Sequence, residues 1–366
     1  MRLFGRRPAR EGGRPALSRT GTGVALGEWP RSYEAQVRDA FCGNAVAQRA
    51  VKLVAESVAA APITASEPAL ATLVAARSGG QALLESAAAQ LLLHGNAYVQ
   101  LLRDGEGGVA ALYALRPERV TAELDASGWP TAYVYRVGER RARLDAEGPR
   151  PDVVHVRSFN PTDDHYGMGC LGAAAGAVAV HNAAARWNKA LLDNAARPSG
   201  ALVYDPGDGA ALAPEQFERL KAEMEAGFAG AGNAGRPMLL EGGLRWQPLS
   251  LSPADMDFVG LKAAAAREIA LAFGVPPMLL GLPGDATYAN YREANRALWR
   301  LTVLPLAATL LAGLAQGLDG WFAGATLAVD LDRVPALSED RERLWASVAA
   351  AGFLSDDEKR TMVGVG

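Results

Sequence analysis

The residues able to do chemistry are few and scattered. Four histidines, His94, His155, His165 and His181, stand in no H-x-E or HExxH spacing, so no pair is set to hold a metal beside a glutamate base. Asp163, Asp164 and His165 form the one acid–base-like cluster, but NPTDDHYG is turn chemistry ahead of a helix and reads as structural. Asp205 and Asp208 lie near glycines yet lack the alternating oxygens and closing glutamate of a calcium loop. Cys42 and Cys170, far apart and outside any CxxC pattern, read as two buried free thiols. There is no G-x-S-x-G nucleophile elbow and no Walker A loop. No catalytic residue, metal or cofactor is expected.

The elements that would position side chains are easier to read. Val46, Ala50, Leu53, Val54 and Val58 recur at helical spacing from Asn44 to Ala61, and Pro62 ends the run. A second helix is expected over 80–93, on Leu83, Leu84, Ala87 and Leu91. The period then drops to two. AYVQLLRDGEGGVAALYAL and RVTAELDASGWPTAYVYRV read as hairpins, and VVHV as a further strand, giving one antiparallel meander over 97–156. A long, alanine-rich helix follows over 170–196, small on more than one face, as a helix flanked by two neighbours requires.

Residues 200–250 read as an αβ insertion: a strand at ALVY, a polar helix over 214–227 and a hairpin, MLLEGGLRWQPL, turning on EGG. The next helix opens on Ser252-Pro253-Ala254-Asp255, a capping arrangement, and lines Phe258, Leu261, Ala265, Ile269, Ala272 and Phe273 along one face. Gly274 suits its left-handed C′ position, and Pro276-Pro277 forbid continuation. A helix from about Asn290 should kink one turn before Pro305. A strand, TLAVDLD, and two short helices opened by serine caps close the chain.

Composition narrows the function class. Of 366 residues, 49% are hydrophobic and 21% charged, an ordered globular balance. The net charge of −3, from 37 basic and 40 acidic residues, argues against a protein that grips DNA by neutralising phosphates. A channel through which DNA slides fits it better. The N-terminal MRLFGRRPAREGGRPALSR lacks an apolar core and reads as a flexible arm, not a signal peptide. Leu301–Leu318 runs uncharged, near the length of a membrane span, but it contains Pro305 and Gln316 and continues a charged amphipathic segment, so a buried soluble helix is the reading.

The order HGNAYVQLLRD, LYALRPERVTAELD, DVVHVRSFNP, YGMGCLGAA, then REIALAFGVPPMLLGLPGDATYANYREANRALWRLTVLPL resembles the portal proteins of long-tailed phages and gene transfer agents, from about Asn44 to the C-terminus. The resemblance implies an α+β portal fold assembled as a ring, with twelve copies the expected number. In this sequence it implies an arm at 1–43, a wing at 44–168, a first stem helix at 169–197 and a clip at 198–251. A second stem helix at 252–275, a tunnel loop and kinked helix at 276–318, and a return strand with short crown helices at 319–366 complete it.

The same resemblance places Gly284, Asp285, Ala286, Thr287 and Tyr288 in the tunnel loop, a small and non-basic collar facing DNA. Lys262 and Arg267 are candidates to line the channel from the stem. Glu215, Glu218, Arg219, Glu223 and Trp246 are candidates for a clip docking surface. The implied partners are other copies of the chain, double-stranded DNA held without sequence preference, the terminase large subunit, a head–tail adaptor and the major capsid protein, with no membrane. The implied location is the portal vertex of a virion or virus-like particle, assembled in the bacterial cytoplasm. A membrane pore on Leu301–Leu318 and an unrecognised hydrolase are the alternatives, and neither accounts for the ordered run of motifs.

Overall fold

The computed structural model describes residues 32–193, 200–205, 213–228, 243–248, 258–282 and 287–364. Ser32 caps α1 (Tyr33–Val37), its hydroxyl accepting from the Ala35 amide at 3.2 Å, and the helix widens into a π turn over Arg38–Cys42. The arm expected over 1–43 is thus helical from Tyr33 on. Ala40 is buried, and the Tyr33 ring meets His94 edge-on at 4.6 Å. Cys42 is exposed rather than buried, and Cys170 is half-buried with its thiol pKa pushed up by desolvation.

Asn44 caps α2 (Ala45–Ala60), its side chain accepting from the amides of Val46 and Ala47. Between Pro62 and the next long helix come β1 (Ile63–Ala65), α3 (Pro68–Ala75), β2 (Arg77–Ser78) and β3 (Gln81–Ala82). The helix expected from Gly80 therefore begins later, as α4 (Leu83–His94). Gly79 and Gly80, at φ +56° and +82°, form the β2–β3 turn instead.

Six strands follow: β4 (Asn96–Arg103), β5 (Val109–Leu115), β6 (Val120–Leu124), β7 (Pro130–Val137), β8 (Arg140–Asp145) and β9 (Val153–Arg157). They do not make the single meander expected. They form two three-stranded antiparallel sheets, ordered β5-β4-β9 and β6-β7-β8. A 3-10 turn at Pro117–Arg119 redirects the chain after β5. β9 then returns to pair with β4, from Asn96↔Arg157 to Gln100↔Val153.

The period-2 rule explains the layering that results. Val154 and Val156 of β9 join Ala97, Val99 and Leu101 of β4 in the main helical core. Tyr98 and Val153, on the opposite face, join Val120, Ala122, Tyr133 and Leu144 in a second core between the sheets.

The junction of α4 and β4 is tied to the loop after β9 by two backbone bonds and one side-chain bond. Gly95 O accepts from Ser158 N at 2.8 Å, Leu92 O from Cys170 N at 2.7 Å, and Asn96 Oδ1 from Gly167 N at 2.7 Å. Gly95 sits at φ +83°, and a Cβ there would run into the backbone of Gly167, Met168 and Gly169. The HGN and YGMG segments are two halves of one backbone crossing.

The remaining elements are α5 (Leu171–Asp193), β10 (Gly200–Tyr204), α6 (Pro214–Phe228), β11 (Leu244–Pro248) and α7 (Phe258–Ala272). After them come α8 (Tyr288–Leu298), a π turn at Trp299–Val303, α9 (Leu304–Leu318), β12 (Leu327–Val329), α10 (Ser338–Ala350) and α11 (Asp356–Val363). α5 packs along α7, and β12 closes antiparallel on β1. The interruption falls one turn before Pro305, whose ring excludes a regular turn beneath it.

α9 buries Ala307, Leu310, Leu311, Leu314 and Leu318 inside the protein. Its Gly313 and Gly317 seat the side chains of Val156 and Val154, so that a Cβ at Gly313 would lie 2.6 Å from Val156 Cγ2. The segment Tyr288–Leu318 is long and apolar enough to span a membrane, but this stripe is spent on the chain's own sheet.

Candidate functional site

The paired helices α5 and α7 carry the stem candidates. Asn44 Nδ2 donates to Asn182 Oδ1 at 2.8 Å and lies 3.0 Å from His181 Nδ1, fixing the π turn and α2 to the middle of α5. Asn182 Nδ2 in turn donates to Asp39 O at 2.9 Å. Burial, and then the charge of Lys262, half-buried on α7, lower the His181 imidazole pKa. Arg267 is exposed on the same helix.

The expected apolar face of α7 is buried at Ala265, Ile269 and, just past the helix end, Phe273, and departs from expectation at Leu261. Ala265, Ala266, Ile269 and Ala270 are buried, whereas Leu261 is 47% exposed and Val259 and Leu271 more so. The helix ends as the sequence indicated, with Gly274 at φ +65° and its carbonyl accepting from Thr302 Oγ1 at 2.6 Å. The cap at Ser252 to Asp255 lies outside the described residues, as do Gly284, Asp285 and Ala286.

The described edges of that loop are ordered by local chemistry. Before it, Pro277–Leu280 form a 3-10 turn that packs on α8, with Gly281 left-handed at φ +71°. After it, Thr287 caps α8 by accepting from Asn290 N at 3.2 Å. Tyr288 is 80% exposed, with the Arg292 guanidinium 5.4 Å over its ring. The loop therefore leaves from and returns to one neighbourhood.

In the insertion, β10 pairs with β11 from Gly200↔Pro248 to Tyr204↔Leu244, with Gly243 at φ +88° leading in. The first half of the expected hairpin lies outside the described residues. Glu215, Glu218, Arg219 and Glu223 are exposed along α6. Trp246 stands in β11 opposite Leu202.

Three features escaped the sequence reading. The first is a polar network between the sheets. His155 Nε2 donates to Asn96 Oδ1 at 2.9 Å, Tyr133 OH donates to His155 Nδ1 at 2.9 Å, and Tyr98 stacks on the imidazole at 4.2 Å. Burial, then the charge of Arg157, drives the His155 pKa down to about 3, so the ring is neutral and can serve both bonds. The second is Arg296, whose guanidinium reaches Glu293 at 3.2 Å and Glu339 at 2.8 Å, with Asp340 at 3.6 Å, tying α8 to α10. Arg292 adds an ion pair to Glu339. The third is a row of arginines in the β6-β7-β8 sheet, taken up below. The first two need distant segments brought together, of which spacing along the chain carries no trace, whereas the arginines stand close together in RVGERRAR and only the hairpin register sets them opposite one another.

Of the smaller expectations one changed. Ser355 does cap α11, in a reciprocal capping box with Glu358. Ser338 does not cap α10; its hydroxyl donates to Pro335 O at 3.1 Å. Asp163 accepts from the amides of His165 and Tyr166, which makes NPTDDHYG the turn it was read as. Among the described residues no three His, Cys, Asp or Glu side chains gather as a metal set.

Long paired helices with a strand–helix–strand unit inserted between them, a layered sheet domain beside them and a looped helix restart together define the fold of capsid portals. The chain belongs to the phage portal protein family, whose profile matches residues 45–364. A chain from the neck of a native gene transfer agent particle, computed with C12 symmetry, is 53% identical, covers 94% of this chain and 96% of its own, and superposes with a TM-score of 0.71. An uncharacterised protein of Rickettsia bellii is 39% identical over 347 residues, 89% of this chain and 88% of that one. A crystal structure of an HK97-family phage portal protein from Corynebacterium diphtheriae, at 20% identity, shares the fold with a TM-score of 0.61 over 85% of this chain and 100% of its own.

Proposed function

We propose that the chain assembles as a ring of twelve at one capsid vertex and forms the conduit through which double-stranded DNA is packaged and ejected. The observation that carries this reading is the 53% identity, over 94% of the chain, to a component of a particle neck computed with C12 symmetry. In this assignment residues 44–168 are the wing, α5 and α7 the stem, 198–251 the clip and about 281–289 the tunnel loop, within the 276–318 segment.

The electrostatics suit a sliding contact. The tip Gly284, Asp285, Ala286, Thr287 is small and not basic, and Lys262 and Arg267 supply only sparse positive charge along α7. A charge repeated around a ring becomes a band, so even one basic residue per subunit counts many times over, while a dense clamp on the phosphates would stall the duplex. The exposed face of α6, with Glu215, Glu218, Arg219 and Glu223, together with Trp246 of β11, is the surface we assign to docking the terminase large subunit and then the head–tail adaptor. The major capsid protein surrounds the wing. The role is structural, and the chemistry of packaging belongs to the motor.

The test is the mass of the detergent-free protein in solution with negative-stain images, alone and co-produced with its capsid protein. Expected are rings of about twelve times the 38.3 kDa chain mass with a hole wide enough for a duplex. A protein that stays monomeric under both conditions, or rings closed at the centre, refutes the reading.

A further inference from the structure

The β6-β7-β8 sheet ends in a cluster of arginines that the conduit does not use. The strand register sets Arg136 of β7 directly opposite Arg141 of β8, and Val137 opposite Arg140. All three arginines are exposed. Arg119 closes the 3-10 turn that packs on β7, one residue before the pair Val120↔Tyr135, and so comes beside Arg136.

Like charges directly opposite on antiparallel strands destabilise the pairing. Nearby carboxylates relieve them only in part. Glu123 and Asp145 are engaged by Arg143, at 2.7 Å in the first case, and Glu118 pairs with Arg116 at 4.0 Å. Glu139 sits at the turn itself and offsets one charge. Among the described residues the side chains of Arg119, Arg136, Arg140 and Arg141 form no ion pair. The cations are thus left available to a partner outside the fold.

The surroundings select the kind of partner. Val137, at 45% exposure, is the one large apolar side chain exposed in this sheet, so the desolvated apolar centre of a protein–protein interface is lacking. All four cations are arginine, whose planar fork grips phosphate oxygens in pairs. The net charge of −3 conceals this local excess.

We propose that the tip formed by Arg119, Arg136, Arg140 and Arg141 docks the phosphate backbone of duplex DNA, without sequence preference and away from the channel. The inference rests on the conduit reading only for the presence of DNA in the particle.

The probe is a covalently closed circular duplex, which cannot thread a closed ring and so reports the outer surface alone. Its binding to the full-length protein is measured against salt, for the unaltered chain, for a variant combining Arg136→Ser, Arg140→Ser and Arg141→Ser, and for Arg143→Ser, whose arginine is already neutralised. The triple variant should bind about tenfold or more weakly at low salt, and its slope of log affinity against log salt should flatten by about 2 to 3, near 0.9 per lost phosphate contact. Arg143→Ser should change the slope by less than one contact. The triple variant should also melt no lower than the unaltered protein, since it removes repulsion, which separates a binding role from a structural one. An unchanged slope in the triple variant overturns the proposal, as does loss of binding to polyglutamate with DNA binding intact, which would assign an acidic protein instead. Rings that form and conduct DNA despite an unchanged slope would refute this inference and leave the conduit standing.

Discussion

Acidifying the protein should loosen the wing at one histidine. His155 is held neutral between Tyr98 and Tyr133, its folded pKa about 3 against about 6.5 in an unfolded chain. Because the folded value is the lower, the unfolded chain takes up a proton in acid that the folded chain refuses. Stability is full above pH 6.5, falls as pH drops from there, and the loss is complete below pH 3. Between pH 7 and pH 5 the linkage amounts to about 2 kcal/mol, within a ceiling of about 5 kcal/mol at the acid end. His94, also lowered by burial, adds in the same direction.

Hydrogen exchange of the β4, β7 and β9 amides, corrected for intrinsic rates, reads this locally. Protection at these amides should fall about thirtyfold from pH 7 to pH 5, the equivalent of that 2 kcal/mol. His155→Phe keeps the stack on Tyr98 but cannot titrate. It should cost about 1 kcal/mol at pH 7, because Tyr133 OH loses its acceptor, yet show a much smaller drop on acidification. Equal losses in the two proteins would refute the argument.

Two further outcomes follow from packing and charge. Gly95→Ala, at φ +83° against the backbone of Gly167–Gly169, should cost several kcal/mol and leave little soluble protein, whereas Gly107→Ala, also at φ +83° but in open space, should cost about 1 kcal/mol; thermal melts of both variants check this. Arg296→Met should free α10 and α11 from α8 at a cost of about 1–3 kcal/mol, seen in limited proteolysis as early cleavage after Val334 with the wing intact.

The sequence was most informative where the determinant is local. The helix stop at Gly274, the break before Pro305, the cap at Ser355 and the strands at 200–204 and 244–248 all follow from residues within a few positions of one another. It misled where the determinant is a partner. Alternation assigns a strand its faces and says nothing of its neighbour, so β9 was placed at the end of a meander when it pairs with β4. β8 reads RRARLD, with Leu144 alone buried, and so carries no apolar alternation to announce a strand. The charge balance over the chain likewise hid the arginine row, because a register brings Arg136 and Arg141 together and a sum does not.

The wide turn at Trp299–Val303 has a mechanical meaning. Buried positions along the last long helix advance by three or four residues from Val303 through Ala307, Leu310, Leu314 and Leu318, but by five from Leu298 to Val303. One residue is in excess there, and at 3.6 residues per turn it offsets the rotation of everything before it by about 100°. α8, with the loop it anchors, is thereby indexed independently of the apolar stripe that fixes α9 to the sheet. Removing a single residue from that turn would leave α9 seated and swing Arg292 and Arg296 off their carboxylates, turning the loop like a dial set one notch wrong.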